Sequence, residues 1–268
     1  MKEWDNDRHE EALRHRECKK LDKCKFKQRD YKNEFLRTFH ILSYKHNRWE
    51  VWKDFIFMAA CSFSNAVDKR NYEKREKAYL DTINKYDKID QRLFSKLLAQ
   101  ITMALQQNPD QDLLGSLFME LGLGSSDRGQ FFTPYNVCKM MSAITIGDVT
   151  TLVNENDYIS ICDCACGAGA TLIAAINESK EQLSKVGKNF QRYILVVAQD
   201  IDETVALMCY IQLSLLGVAG YVKVGDTLSD PITPNDNYEK YWTTPMYYIL
   251  PGPWLGNQKE KRIWLKKN

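Results

Sequence analysis

One stretch limits what this chain can fold into more than any other: residues 158–172, with the sequence YISICDCACGAGATL. It begins as an apolar run, passes through a turn of small residues that includes Gly167 and Gly169, and ends as the start of an apolar helix. Glycine has no Cβ, so the backbone of such a turn can approach a ligand closely. Ligands of open α/β sheets bind at the carboxyl ends of the strands. The stretch therefore predicts a buried strand, a tight turn and a helix, with either a binding site at the turn or an ordinary strand-to-helix connection.

Two later segments extend this pattern. Residues 193–198 predict a second strand, which ends next to Asp200. A carboxylate at the end of the second strand is placed to accept hydrogen bonds from ribose hydroxyls. A third segment, residues 221–228, also ends in an acidic turn that contains Asp226. The alternation of strands and helices over residues 126–250 predicts an α/β domain, in which a mostly parallel sheet has helices on both faces.

The acidic strand ends indicate a particular ligand chemistry. The phosphate-binding version of this fold spaces its glycines as G-x-G-x-x-G. Here Asp163 precedes the turn instead, and a carboxylate suits a ligand with an amino group better than a pyrophosphate. Carboxylates at all three strand ends therefore point to S-adenosylmethionine, which carries an ammonium, a ribose and an adenine but no phosphate.

Four motifs then occur in an order that is typical of one protein family. They are GQFFTP (residues 129–134), DCACGAG (163–169), AQD (198–200) and GDTL (225–228). With the Phe-Thr-Pro motif ahead of the glycine turn, the chain resembles the N-6 adenine DNA methyltransferases, especially the modification (M) subunits of type I restriction systems. The similarity covers about residues 110–228.

The resemblance implies a fold and a set of cofactor contacts. The fold is a Rossmann-like S-adenosylmethionine-binding methyltransferase domain, with a complete or a truncated sheet, after an N-terminal helical domain. In the family the Phe-Thr-Pro segment packs against the methionine part of the cofactor, the glycine turn binds its amino-acid end, and the next acid binds the ribose. The residues at matching positions are Phe132, Thr133, Pro134, Asp163, Ala165, Gly167, Gly169, Asp200, Ile201, Asp226 and Thr227.

The catalytic motif departs from the family pattern. Methyl transfer in the family needs a fourth strand that ends in Asn/Asp-Pro-Pro-Tyr/Phe, whose polar groups accept hydrogen bonds from the target amino group and whose ring stacks on the flipped base. One imperfect candidate, TPMY (residues 244–247), follows a polar stretch rather than a strand. The other, PGPW (251–254), follows a predicted strand over residues 246–250 but has no amide or carboxylate. The candidate catalytic residues are therefore Pro251, Pro253 and Trp254, with burial in the core as the alternative role of Trp254.

The first half of the chain has a helical pattern. Apolar residues recur at helical spacing from about Glu34 to Leu123, and core packing is the expected role of the aromatic ones. Residues 112–121 predict the helix that leads to the Phe-Thr-Pro motif. The predicted domains are a charged N-terminal segment (1–32), a helical domain (33–124) and an S-adenosylmethionine-binding methyltransferase-like domain (125–268).

The charged N-terminal segment has two interpretations. Its many charges of both signs suit a solvated helix, or else a basic arm that contacts DNA phosphates. Its histidines and cysteines do not have the spacing of a zinc finger; they are His9, His15, Cys18 and Cys24. The cysteines at positions 162, 164 and 166 are expected to be small buried residues beside a turn, so no metal site is predicted.

Composition limits location and partners. The net charge of +2 gives no argument for nucleic acid from bulk charge. The first residues are charged, and no apolar run is long enough to cross a membrane. Eight cysteines without a secretion signal indicate reduced thiols. A cytoplasmic protein without membrane contact is expected.

Two functions from different classes follow. The first is an S-adenosylmethionine-dependent adenine-N6 DNA methyltransferase of the restriction-modification type, with an unusual catalytic motif and a protein partner that supplies specificity. The second is a catalytically inactive S-adenosylmethionine-binding protein that acts by binding to DNA or to restriction or methylation machinery. The order of the motifs supports both, whereas the missing acceptor favours the second.

Overall fold

A computed structural model of the chain describes residues 29–124, 132–233, 236, 238–250 and 252–255. The chain divides into two units, Met1–Tyr31 and Lys32–Asn268. Only residues 29–31 of the first unit are described, so the predictions for its histidines and cysteines lie outside the described residues. The same holds for residues 129–131 of the Phe-Thr-Pro motif and for Pro251. The division of the chain at residues 32 and 124 stays a prediction.

The first half of the described chain is helical, as predicted for residues 33–121. Its helices are α1 (Tyr31–Lys45), α2 (Arg48–Val67), α3 (Tyr72–Ile83), α4 (Lys88–Gln107) and α5 (Leu113–Glu120). Polar side chains cap three of these helices: Asn47 accepts hydrogen bonds at the start of α2, Asp87 at the start of α4, and Asp112 at the start of α5. The core of this half is aromatic, because Trp52 packs edge-on against Phe35, Phe39 and Phe55.

The second half alternates helices with strands. Its elements are α6 (Tyr135–Thr145), α7 (Val149–Asn156), β1 (Ile159–Asp163), α8 (Ala170–Lys185), β2 (Ile194–Asp200), α9 (Glu203–Leu215), β3 (Ala219–Val224), β4 (Tyr241–Thr243) and α10 (Pro245–Ile249). Short 3₁₀ turns lie at Phe190–Arg192, Tyr238–Lys240 and Pro253–Leu255. The predicted α/β class is therefore confirmed for this half.

The four strands found among the described residues form one sheet in the order β1-β2-β3-β4. The first three strands are parallel, and β4 is antiparallel to β3. Asp163 pairs with Ala198, and Asp200 pairs with Val224. The carboxyl ends of β1, β2 and β3 therefore lie at the same edge of the sheet, and each is followed by a loop that the sequence singled out.

Helix α9 connects the two halves. It packs against α2 on one side and against β2 and β3 on another, and residues 204–213 are all buried. Because α9 is enclosed between α2 and the sheet, it has apolar residues on every face. Among the described residues, no helix combines the length and the apolar character that crossing a membrane requires.

The prediction for residues 241–250 was wrong in two respects. The stretch before Thr244 is not an irregular polar segment, because residues 241–243 are the strand β4. The predicted strand over residues 246–250 is the helix α10. Pro245 explains the helix, since proline is favoured in a first helical turn. The strand is short but contains aromatic residues, and Trp242 is buried opposite Val222.

Candidate cofactor site

The glycine turn has a backbone conformation that favours glycine at two positions. Gly167 has φ +51° and Gly169 has φ +93°, both in the left-handed region. A Cβ on Gly167 would lie 3.3 Å from the ring of Phe132, and one on Gly169 would lie 2.8 Å from the sulfur of Cys209. The turn therefore brings the Phe-Thr-Pro segment close to its first glycine and allows α8 to start directly against α9.

Asp200 connects the end of β2 to this turn. The Gly167 N–H donates to Asp200 Oδ2 at 2.8 Å, and the Asp202 N–H donates to Asp200 Oδ1 at 3.0 Å. Burial raises the pKa of Asp200, while these two backbone hydrogen bonds oppose the shift. Each carboxylate oxygen has two lone pairs, so each can accept a further hydrogen bond.

Asp163, the last residue of β1, is hydrogen-bonded both to the start of the turn and to the first turn of α8. Its Oδ1 accepts a hydrogen bond from the Ala165 N–H at 3.1 Å, and its Oδ2 accepts one from the Thr171 hydroxyl. Thr171 lies in the first turn of α8 and was not among the predicted site residues. The only feature of the sequence that could have predicted Thr171 as a site residue is its hydroxyl, which lies in the first helical turn after a glycine loop.

The loop after β3 reaches across to the turn after β1. The Thr227 hydroxyl donates to the carbonyl oxygen of Cys164 at 2.5 Å. Asp226 accepts hydrogen bonds from the Leu228 N–H at 3.0 Å and from the Ser229 hydroxyl at 2.9 Å. The Leu228 N–H is the main cause of the lowered pKa of Asp226. The structure thus brings together predicted residues from all three strand ends.

The Phe-Thr-Pro segment lies beside this site. The Phe132 ring is 5.4 Å from the ring of Phe118 on α5 and covers Gly167. Thr133 and Pro134 are exposed, and Pro134 caps α6. Ile201, the residue after Asp200, is also exposed.

Sequence comparison identifies the family. The sequence model of the N-6 DNA methylase family matches residues 119–263, which is more than half of the 268-residue chain. The chain belongs to the N-6 DNA methylase family. No curated protein matches it individually. The match includes the four motifs from which the resemblance was inferred, and also the segment in which the family's catalytic motif is expected.

In this member of the N-6 DNA methylase family, the described residues of the two imperfect catalytic candidates lie away from the glycine turn. The Trp254 ring packs edge-on against Tyr158, with 5.7 Å between their centroids. Tyr158 immediately precedes β1, so Trp254 lies at the amino end of the strand whose carboxyl end leads into the turn. Pro253 beside it is exposed.

The other candidate, which starts at Thr244, is at the same end of the sheet. Thr243 pairs with Tyr221, close to the start of β3, because β4 is antiparallel. The Thr244 hydroxyl is buried; it donates to the Val218 carbonyl at 2.7 Å and accepts from the Gly220 N–H at 3.0 Å. The catalytic role of Pro251, Pro253 and Trp254 stays a prediction, which the position of Trp254 does not favour.

One residue near the site was missed by sequence reasoning. Gln212 of α9 is completely buried, and its amide donates to Asp112 Oδ1 at 2.8 Å and to the carbonyl oxygen of Ala168 at 2.9 Å. Its Oε1 accepts from the Leu114 N–H at 3.1 Å. Gln212 therefore links the start of α5 in the helical half to the glycine turn. Within the described residues, no cluster of side chains suited to a metal ion occurs.

Proposed function

We propose that this N-6 DNA methylase binds S-adenosylmethionine at the carboxyl ends of β1, β2 and β3, in a Rossmann-like domain. The observation that carries the proposal is the hydrogen bond from the Gly167 N–H to Asp200, together with the one from Thr227 to Cys164. These two contacts join three strand-end loops, each with a carboxylate, around one turn. The cofactor would supply the methyl group, as a sulfonium next to the target amine.

The described residues fit the parts of the cofactor. Asp200 would bind the ribose hydroxyls, since both of its oxygens can accept another hydrogen bond. The turn at Asp163, Ala165, Gly167 and Gly169 would bind the amino-acid end, with the start of α8 favouring the carboxylate. Two further groups would complete the site. Asp226, Thr227 and Ile201 would contact the nucleoside, and Phe132, Thr133 and Pro134 would pack against the methionine part.

The first candidate function is DNA adenine-N6 methylation of the restriction-modification type, as in the modification subunits of type I systems. Family membership supports a methyltransferase-like function on DNA. In this proposal a partner protein supplies recognition of the target sequence, and the chain supplies the cofactor site. DNA binding and the partner are both part of the proposal.

The second candidate is a catalytically inactive S-adenosylmethionine-binding protein that acts on DNA or on restriction or methylation machinery. One observation favours it: Trp254 and Thr244 lie at the amino end of the sheet, far from the loops that would bind the cofactor. A catalytic acceptor must lie within hydrogen-bond reach of the reacting amine. Neither of these residues meets that requirement in this arrangement.

Two measurements on the full chain test the candidates. Calorimetric titration with S-adenosylmethionine and with S-adenosylhomocysteine tests the site, and radiolabelled methyl transfer to unmethylated genomic DNA tests the chemistry. Binding without methyl transfer is expected from the isolated chain and fits both candidates, because the first assigns recognition of the target to a partner protein. Robust transfer by the chain alone would overturn the second candidate, and absence of binding to both ligands would overturn both.

A further inference from the structure

A fully buried lysine, Lys223, lies near the end of β3, just before the loop that follows this strand. The Lys223 side chain is 1% exposed. Its ammonium donates three hydrogen bonds: to Asp230 Oδ1 at 2.8 Å, to the Pro231 carbonyl at 2.8 Å and to Asp236 Oδ2 at 2.6 Å. An ammonium has three N–H groups, so its donor capacity is completely used. All three acceptors come from the segment between β3 and β4.

The charges around this lysine are balanced within the same segment. Asp230 also accepts a hydrogen bond from Lys240 at 2.8 Å, and Asp236 accepts one from the Tyr241 hydroxyl at 2.5 Å. Burial acts to lower the pKa of Lys223, but its hydrogen bonds to Asp230 and Asp236 raise it overall. The same contacts lower the pKa of both carboxyl groups. A buried ammonium is tolerated only with such partners, so the lysine and the loop depend on each other.

The loop fixed by Lys223 contains Asp226 and Thr227. The Asp230 N–H donates to the Asp226 carbonyl at 2.7 Å, which closes a turn around Thr227. The amide of Gln199, at the end of β2, donates to the Asp230 carbonyl at 2.8 Å and to the Gly225 carbonyl at 3.1 Å. A continuous set of contacts therefore runs from Lys223 through Asp230 to Thr227, whose hydroxyl reaches the turn after β1.

We propose that Lys223 is a positioning residue for the nucleoside side of the cofactor site. Its three hydrogen bonds fix residues 225–233, so that Asp226 and Thr227 lie against the glycine turn. Lys223 itself does not contact the ligand. The ligand part of this inference rests on the proposed function, whereas the loop-fixing part does not.

Lys240 provides a matched control. Both lysines bind the same carboxylate, Asp230, at 2.8 Å, but Lys240 is 57% exposed. Lys223→Met is expected to weaken S-adenosylhomocysteine binding about tenfold or more, the equivalent of at least one lost hydrogen bond. Lys240→Met is expected to change it less than about twofold, because exposed ion pairs contribute little. Equal affinities of the two variants would overturn the proposal.

A double-variant comparison separates positioning from a general loss of stability. If Lys223 acts through the loop, Lys223→Met combined with Asp226→Ala weakens binding no more than the stronger single variant does. Multiplied losses in this combination would mean that Lys223 does not act through Asp226.

A measurement without ligand tests the loop independently of the proposed function. Hydrogen–deuterium exchange of the backbone amides of residues 225–230 is expected to be faster in Lys223→Met than in the parent chain, and unchanged in Lys240→Met. If the parent chain binds no cofactor, the proposed function fails while exchange still decides the role of Lys223. If Lys223→Met does not fold, Asp236→Ala replaces it, since this variant removes one of the three acceptors of the Lys223 ammonium. Unchanged exchange in Asp236→Ala and unchanged affinity would contradict the proposal.

Discussion

At the residue scale, Asp200 is the side chain on which the proposed cofactor site depends most directly. We expect Asp200→Ala to weaken S-adenosylmethionine binding by about 1–3 kcal/mol, from the loss of charge-assisted hydrogen bonds to the ribose and of the contact with the Gly167 N–H. Calorimetric titration measures the change. Glu203→Ala, which removes an exposed carboxylate three residues further on, is the control and should bind normally. Equal affinities of the two variants would contradict the proposal that Asp200 binds the ribose hydroxyls.

The left-handed glycines allow a second comparison of single residues. Gly167 and Gly187 both have positive φ, +51° and +69°, but only Gly167 has a neighbour, Phe132, at the position of a Cβ. Alanine at either position should cost about 1–2 kcal/mol of stability from backbone strain. Only Gly167→Ala should also weaken cofactor binding, because its methyl group displaces the Phe132 ring. Thermal unfolding and calorimetry of both variants test this prediction. Weakened cofactor binding in Gly187→Ala would show that backbone strain alone, without contact to Phe132, is enough to weaken binding.

At the scale of elements, Arg75 joins the helical half to the sheet. Its side chain is buried, forms an ion pair with Asp68 at 2.8 Å, and donates to the Tyr241 carbonyl of β4 at 2.7 Å. Its guanidinium lies 3.9 Å from the centre of the Trp242 ring. One side chain therefore links α3, the end of α2 and the edge strand.

Lys74, the residue before Arg75, provides a control for the contribution of Arg75 to stability. Lys74 forms an exposed ion pair with Glu239, which lies just before β4. Arg75→Met should lower the free energy of unfolding by about 3–5 kcal/mol, because it leaves the Asp68 carboxylate buried without its ion-pair partner. Lys74→Met should lower it by less than about 1 kcal/mol. Denaturant unfolding of both variants checks the difference, and similar losses would show that burial does not strengthen the Arg75 contact.

The sequence predicted elements well where the signals are local. The strands β1 and β2 are apolar runs that end in Asp163 and Asp200, and β3 is followed by an acidic turn. The caps of α4 and α5 are aspartates directly before apolar helical patterns. The edge strand β4 was missed because three residues carry no periodicity, and its formation depends on pairing with β3. Gln212 was missed for a similar reason: an amide in an apolar helix does not reveal that its partners lie on α5 and on the glycine turn.

At the scale of the whole molecule, protonation at low pH should destabilise the fold at one group of carboxylates and stabilise it at another. The pKa values of Asp230 and Asp236 are lowered by Lys223 in the folded chain. Their ionised forms therefore stabilise the fold above the pKa of the unfolded chain, about 4, and this stability is lost as the pH falls through the lower folded values. The pKa of Asp112 is raised, mainly by burial. Its ionisation opposes folding, and protonation at low pH removes that cost.

Two variants separate these contributions. The melting temperature of the parent chain should fall as the pH is lowered from about 4 towards the folded-state pKa values of the Lys223 partners, because the unfolded chain binds protons at these carboxylates before the folded chain does. In Asp236→Asn this fall should be smaller, because one of the groups that loses stability in acid is gone. In Asp112→Asn it should be larger, because the group that gains stability in acid is gone, while the amide oxygen can still accept from the Gly115 N–H. Thermal unfolding across this pH range measures all three slopes, and a steeper fall in Asp236→Asn than in the parent chain would contradict the role given to Lys223 and its partners.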